Sequence, residues 1–213
     1  MKLYLLLATF ALFSCEQKNT PAENLKKMEE KKEFSPNSGP LEEISSTDWF
    51  QYYKSLNSNF QAERFQLQTT SKINYQSSNV ITVNQKDFDK VYLPFQIYNK
   101  SKTQYLDLDS YQWFLMEDGT AGFEADQQVA LVNISNNKAK QIAFFGPSYW
   151  IEDAYWKGDS AVVLLGNSYD RVPFVMKYNF DKNTVQNYQY TDTLQFKTNY
   201  SNIRLNKKGI KTQ

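Results

Sequence analysis

Between residues 64 and 190 the chain keeps returning to one pattern: short segments alternating apolar and polar side chains, cut by Gly, Asp and Asn. Residues 64–72 carry it through Phe65 and Leu67, and residues 91–98 through Val91, Leu93, Phe95 and Ile97. Residues 104–114, 129–134, 142–145, 160–165, 172–180 and 185–190 complete the set, with turn signals such as Glu117-Asp118-Gly119 and Lys157-Gly158-Asp159 between them. A two-residue period puts successive side chains on opposite faces of a strand, one for a core and one for water. Short strands joined by tight turns pair antiparallel. The expected fold is mainly β, a single antiparallel domain over residues 47–205, long enough to bury a sizeable core. One short N-terminal helix precedes the strands: Ser46, Thr47 and Asp48 are good N-caps, and Trp49, Tyr52, Tyr53 and Leu56 follow helical spacing.

The chain also repeats itself. Residues 129–142 and 175–188, 46 positions apart, both read as strand, polar turn, strand, with the turns at 135–138 and 181–184. Residues 150–164 read as another hairpin between them. Four strands in about 40–50 residues is the spacing of propeller blades, which residues 105–190 resemble. A closed propeller needs at least about four blades and this domain has room for about three, so a sandwich-like or partial-propeller-like set of hairpins is expected.

Histidine is absent, and cysteine occurs once, at Cys15. Those two facts exclude Ser-His-Asp triads, His-ligated zinc and an internal disulfide, so packing must hold the fold. The chain carries 24 basic and 23 acidic side chains; residues 1–14 hold one Lys and no acid, which leaves 23 against 23 without them. A neutral domain has no net field to attract nucleic acid. The basic end, residues 206–213, is expected to be a solvated tail.

At the other end, one Lys precedes an apolar run from Leu3 to Phe13 that stops at Ser14-Cys15. That is the layout of a secretory signal, too short for a membrane-spanning helix. Leu12-Phe13-Ser14-Cys15 resembles the lipobox of bacterial lipoproteins. The resemblance implies cleavage after residue 14, lipidation of Cys15, and anchoring of a cell-envelope protein by several acyl chains, each buried methylene adding about 0.8 kcal/mol. The outer membrane is the expected location, its periplasmic or surface face left open. Residues 15–46 have the composition of a disordered stalk, with a mixed-charge block at 26–33 and the breaker cluster Ser35-Pro36-Asn37-Ser38-Gly39-Pro40. As a whole the chain resembles the uncharacterised envelope lipoproteins common in the Bacteroidota, through Asp126 to Asn133, Gly146-Pro147 and Glu152 to Trp156. Asp159-Ser160-Ala161 and Asp192-Thr193-Leu194 are similar to the O-glycosylation acceptor of exported proteins in that group.

Chemistry has to be sought among acids and aromatics. Acid pairs occur at Asp87/Asp89, Asp107/Asp109, Glu117/Asp118 and Glu152/Asp153. Two carboxyls about 5–10 Å apart would suit a glycosidase, for which Asp107, Asp109, Glu152 and Asp153 are the candidates. Acids at strand ends are more often solvated turn residues, and none of these matches a calcium loop, so no catalytic residue, metal or other cofactor is assigned. The only Ser-x-x-Lys, Ser135–Lys138, falls on a hairpin turn. Fifteen Tyr, fifteen Phe and four Trp exceed what a core of this size needs. Exposed Trp and Tyr stack on sugars and anchor interfaces, so Trp113, Tyr149, Trp150, Tyr155 and Trp156 are the candidate binding residues. The expected role is a non-enzymatic binding or scaffolding module for a protein partner or glycan. The alternative is a carbohydrate-active hydrolase working through paired carboxylates.

Overall fold

The computed structural model describes residues 41–212; Cys15 and residues 1–40 as a whole lie outside the described residues. Twelve strands form two five-stranded sheets and a two-stranded ribbon, every pairing antiparallel. The first sheet has the order β1 (Phe65–Lys72), β12 (Thr184–Tyr190), β11 (Phe174–Asn179), β10 (Ala161–Ser168) and β9 (Tyr149–Lys157). The second has β2 (Gln76–Ser77), β8 (Lys138–Phe145), β7 (Gln127–Asn133), β4 (Gln104–Asp107) and β3 (Ile97–Tyr98). The ribbon pairs β5 (Trp113–Leu115) with β6 (Ala121–Phe123).

The two-residue period decides the layers. On β10, Val162 and Leu164 join Ile151, Phe174 and Tyr178 against Leu106, Val129, Leu131 and Ile142 of the second sheet, which makes the pair a sandwich. Val163 and Leu165, one residue out of phase, face the opposite way and pack with Val175, Tyr188 and Tyr190. That outer face is covered by α1 (Asp48–Leu56), which lays Trp49, Phe50 and Tyr53 onto it. Burial on both faces explains why β10 reads as a continuous apolar run rather than an alternating one. Thr47 caps α1, its hydroxyl oxygen accepting from Phe50 N.

The repeat is real at the level of hairpins. β7–β8 and β11–β12 turn in the same way: Asn133 Oδ1 accepts from Asn136 N, and Asn179 Oδ1 accepts from Lys182 N. Asn137 and Asn183, at matching positions, both take positive φ, +54° and +50°. Asn tolerates that left-handed region better than most residues. The two copies belong to opposite sheets of the sandwich, so they do not build successive propeller blades.

Four expectations change. Residues 90–95 form a 3-10 helix instead of a strand, because Pro94 has no N–H for a ladder and Asp89 caps Val91 N. Residues 104–114 are two strands with a turn between them, stapled by the Asp107 carboxylate, which accepts from Asp109 N, Ser110 N and the Ser110 hydroxyl. The ordered core starts earlier than residue 47: Leu41 and Ile44 are fully buried against α1 and its neighbours. A second helix, α2 (Tyr200–Lys207), closes the fold, and the residues after it are not simply solvated. Ile210 N donates to Leu205 O, and Lys211 bridges to Thr120 beside β6.

Candidate functional site

β9 carries the irregularity from which the site is built. Opposite β10 its register slips, with Asp153 facing Leu165 and Ile151 facing Gly166, so Glu152 is the extra residue of a β-bulge. Ile151 keeps its place in the sandwich core. Glu152 and Asp153 instead both turn toward the helical layer. A glycine is needed opposite the bulge: a Cβ on Gly166 would stand 2.5 Å from Trp150 O and 2.5 Å from Phe174 Cζ. Across the sandwich, Gln127 stands in for a missing strand partner. Its amide oxygen accepts from Ile151 N (2.6 Å) and its amide nitrogen donates to Ile151 O (3.1 Å) and Leu108 O (3.3 Å).

Glu152 is 1 % exposed and meets four side-chain donors. Oε2 accepts from Trp49 Nε1 (2.7 Å) and the Tyr53 hydroxyl (2.5 Å). Oε1 accepts from the Thr198 hydroxyl (2.7 Å) and Trp150 Nε1 (3.3 Å). Burial pushes its pKa up, and the donors only partly offset that. The Asp153 carboxyl is also raised by burial, against the pull of Arg204, and accepts from the Tyr200 hydroxyl (2.8 Å). Asp109 receives Arg204 as a bidentate fork (2.7 and 3.0 Å) together with Trp113 Nε1 (2.9 Å). Burial works against the Arg204 charge, but Asp109 and Asp153 outweigh it and hold its pKa above the usual value.

Between the β5–β6 ribbon, the start of β9 and α2 lies a cavity of about 280 Å³. Trp113, Phe123 and Trp150 give it aromatic walls; Gln112, Gln127, Asn199 and Ser201 give it amides and hydroxyls, and Glu152 and Arg204 reach its lining. A second cavity, of about 620 Å³, is lined by Trp150 and Thr198 as well, so those two side chains are common to both.

The five aromatic candidates divide. Trp113 and Trp150 line the first cavity. Tyr149 is 48 % exposed and meets Phe174 edge-on, away from the cavity. Tyr155 packs against the helix-side core, and Trp156 faces the sandwich core, donating to Ile97 O. The largest group of aromatics in any one core fills the helix side, where Trp49, Phe50, Tyr53, Phe60, Phe65, Tyr188, Tyr190 and Tyr200 lie together. The acids of the alternative reading are not the solvated turn residues expected: Asp107, Asp109 and Glu152 are all at or below 3 % exposure. Asp87, Asp89 and Asp118 are exposed, as anticipated. Glu152 is the single acid lining the first cavity among the described residues. Among those residues no group of three Asp, Glu, Cys or His is placed to hold a metal ion. Gln127 and Arg204 were not legible as site residues, since each acts on a partner distant in sequence; the Trp150-Ile151-Glu152 spacing was the one local signal. No family model, no curated protein and no solved structure matches this chain.

Proposed function

We propose that the chain is a lipid-anchored envelope protein whose β domain is a glycan-binding module. The observation that carries this is the cavity between the ribbon, β9 and α2, where aromatic faces stand beside amide and hydroxyl groups. Sugars offer apolar ring faces and hydroxyls that both donate and accept, and such a lining suits both at once. The state of the carboxylates favours binding over hydrolysis. Glu152 has both oxygens taken by protein donors, and Asp109 is committed to Arg204 and Trp113. A two-carboxylate hydrolase needs a second acid facing the same substrate, and a free lone pair on each. The lipid anchor rests on the lipobox-like Leu12 to Cys15, and among the described residues no helix is long and apolar enough to cross a membrane.

The test is calorimetric titration of the detergent-solubilised protein with a panel of neutral and acidic oligosaccharides, repeated with Phe123→Ala and Trp150→Phe. Phe123 is 45 % exposed, so its truncation leaves the core intact. Loss of the Phe123 ring should weaken binding by about 1 kcal/mol, roughly fivefold, at unchanged Tm. Trp150→Phe, which trades the indole for a smaller ring and takes one donor from Glu152, should weaken it too. Saccharide binding that ignores both substitutions, or none at all, would refute the reading. Steady release of reducing ends from the same sugars would establish the hydrolase instead.

A further inference from the structure

The second cavity differs from the first in its charge. It lies between the β10–β11 connection and the segment that leads into α2, and it holds Arg171 and Lys197 against the single acid Asp170. Among the described residues neither Arg171 nor Lys197 makes an ion pair. The Arg171 backbone is nevertheless firmly placed. Its backbone sits at φ +61°, a conformation uncommon for a residue with a Cβ. Three hydrogen bonds hold the loop there: Arg171 N to Ser168 O (2.8 Å), Val172 N to the Ser168 hydroxyl oxygen (3.1 Å) and Leu194 N to Arg171 O (2.9 Å).

Two further observations point to an occupant. Asn167, on the cavity lining, is wholly buried, and its Nδ2 has no hydrogen-bond partner among the described residues, although its Oδ1 accepts from Ser168 N. Buried amide donors are nearly always paired, and this one stands out on the cavity lining. Tyr169 stands 78 % exposed at the rim, with its backbone tied to Ser148 O (2.8 Å). Its ring and Trp150 offer two aromatic surfaces on a lining otherwise made of hydroxyls, charge and the Asn167 amide.

Building on the glycan-binding reading, we propose that this cavity is a second subsite taking an anionic sugar unit. Arg171 and Lys197 hold its carboxylate or sulfate. The adjoining neutral unit lies in the first cavity, and Trp150 and Thr198 contact both. The ligand is then an acidic oligosaccharide rather than a neutral one, and charge does the discriminating.

The experiment titrates the full-length, detergent-solubilised protein with trigalacturonate, its fully methyl-esterified form and a sulfated trisaccharide, with inorganic sulfate as a control. Esterification removes the charge and keeps the rings. The acid or the sulfated form should bind about tenfold more tightly than the ester at low salt, an advantage that shrinks as salt rises. Arg171→Gln and Lys197→Gln should each abolish most of that advantage while leaving affinity for the ester unchanged. Lys197 is exposed, so its variant remains informative even if Arg171→Gln fails to fold. Preference for the carboxylated or for the sulfated sugar identifies the anion. Equal affinity for acid and ester would overturn the anionic subsite and leave the glycan-binding reading standing. Inorganic sulfate binding as well as the charged sugars would also overturn it, by reducing the site to a simple anion trap. Failure of every sugar to bind would remove both.

Discussion

Glu152 is a buried carboxyl with no cation paired to it among the described residues, and its behaviour follows from that. Four donors hold its two oxygens, yet burial still raises its pKa, so the fold prefers the protonated acid more than the unfolded chain does. The sign of the linkage is then fixed. Its contribution is fully present below the ordinary glutamate value of 4.5, and stability falls as pH rises above that until Glu152 is ionised in the fold. Glu152→Gln should flatten this part of the pH–stability curve, read as Tm between pH 4 and 8. The Thr198 hydroxyl can reverse to accept from the new amide, but the indole N–H of Trp150 beside it can only donate. The cost near neutrality should therefore be that of one unsatisfied donor, about 1–3 kcal/mol. Glu152→Ala is a different matter, because it strands Trp49 Nε1 and the Tyr53 and Thr198 hydroxyls together. At about 1–3 kcal/mol for each unsatisfied buried group, a loss of at least about 3 kcal/mol is expected in urea unfolding. A glutamine variant with the wild-type pH slope would show that Asp107 and Asp153, also raised by burial, dominate instead.

The bulge in β9 and the docking of α2 do for whole elements what Glu152 does for one side chain. Gly166→Ala would press a methyl onto the Trp150 carbonyl, which is backbone and cannot rotate away. A destabilisation of about 1–3 kcal/mol is expected, together with weaker saccharide binding, because Trp150 would move with its strand. α2 is held by the fork from Arg204 to Asp109, 95 residues away. Arg204→Ala leaves the buried Asp109 carboxylate with only Trp113 as its partner, and should cost about 3–5 kcal/mol in chemical denaturation. These two elements also mark where the sequence stops being readable. The strands were legible because period-two alternation and turn residues are local, and so was α1, with its cap and aromatic spacing. The bulge was not, since a slipped register leaves the residue string unchanged and shows only against β10. Nor was α2, whose Ile203 and Leu205 are too few to mark a face, so that nothing local singled out Arg204. Pro94 was a local signal against a strand at residues 91–98, outweighed by the alternation around it.

At the scale of the molecule, three layers share one sheet: the second sheet packs on one face of the first, and α1 with the core around it packs on the other. Leu41 and Ile44 belong to that outer layer, so the chain is already committed to the core six residues before the cap of α1. Replacing the thiol of the proposed anchor, Cys15, removes no contact among residues 41–212. Cys15→Ala in a C-terminally tagged copy should move the protein from the membrane pellet to the soluble fraction with its Tm unchanged. Retention in the pellet would dismiss the lipid as the anchor. The two faces of the envelope are told apart by protease on intact cells carrying the unaltered Cys15. Exposed loops such as the one around Tyr169 offer cleavage sites if the domain faces outward. Loss of the tag would put the aromatic and cationic cavities within reach of extracellular glycans. Survival of the tag until the envelope is breached would direct the search to the sugar polymers of the periplasm, where the same two cavities would meet a cell-wall or lipid-linked chain.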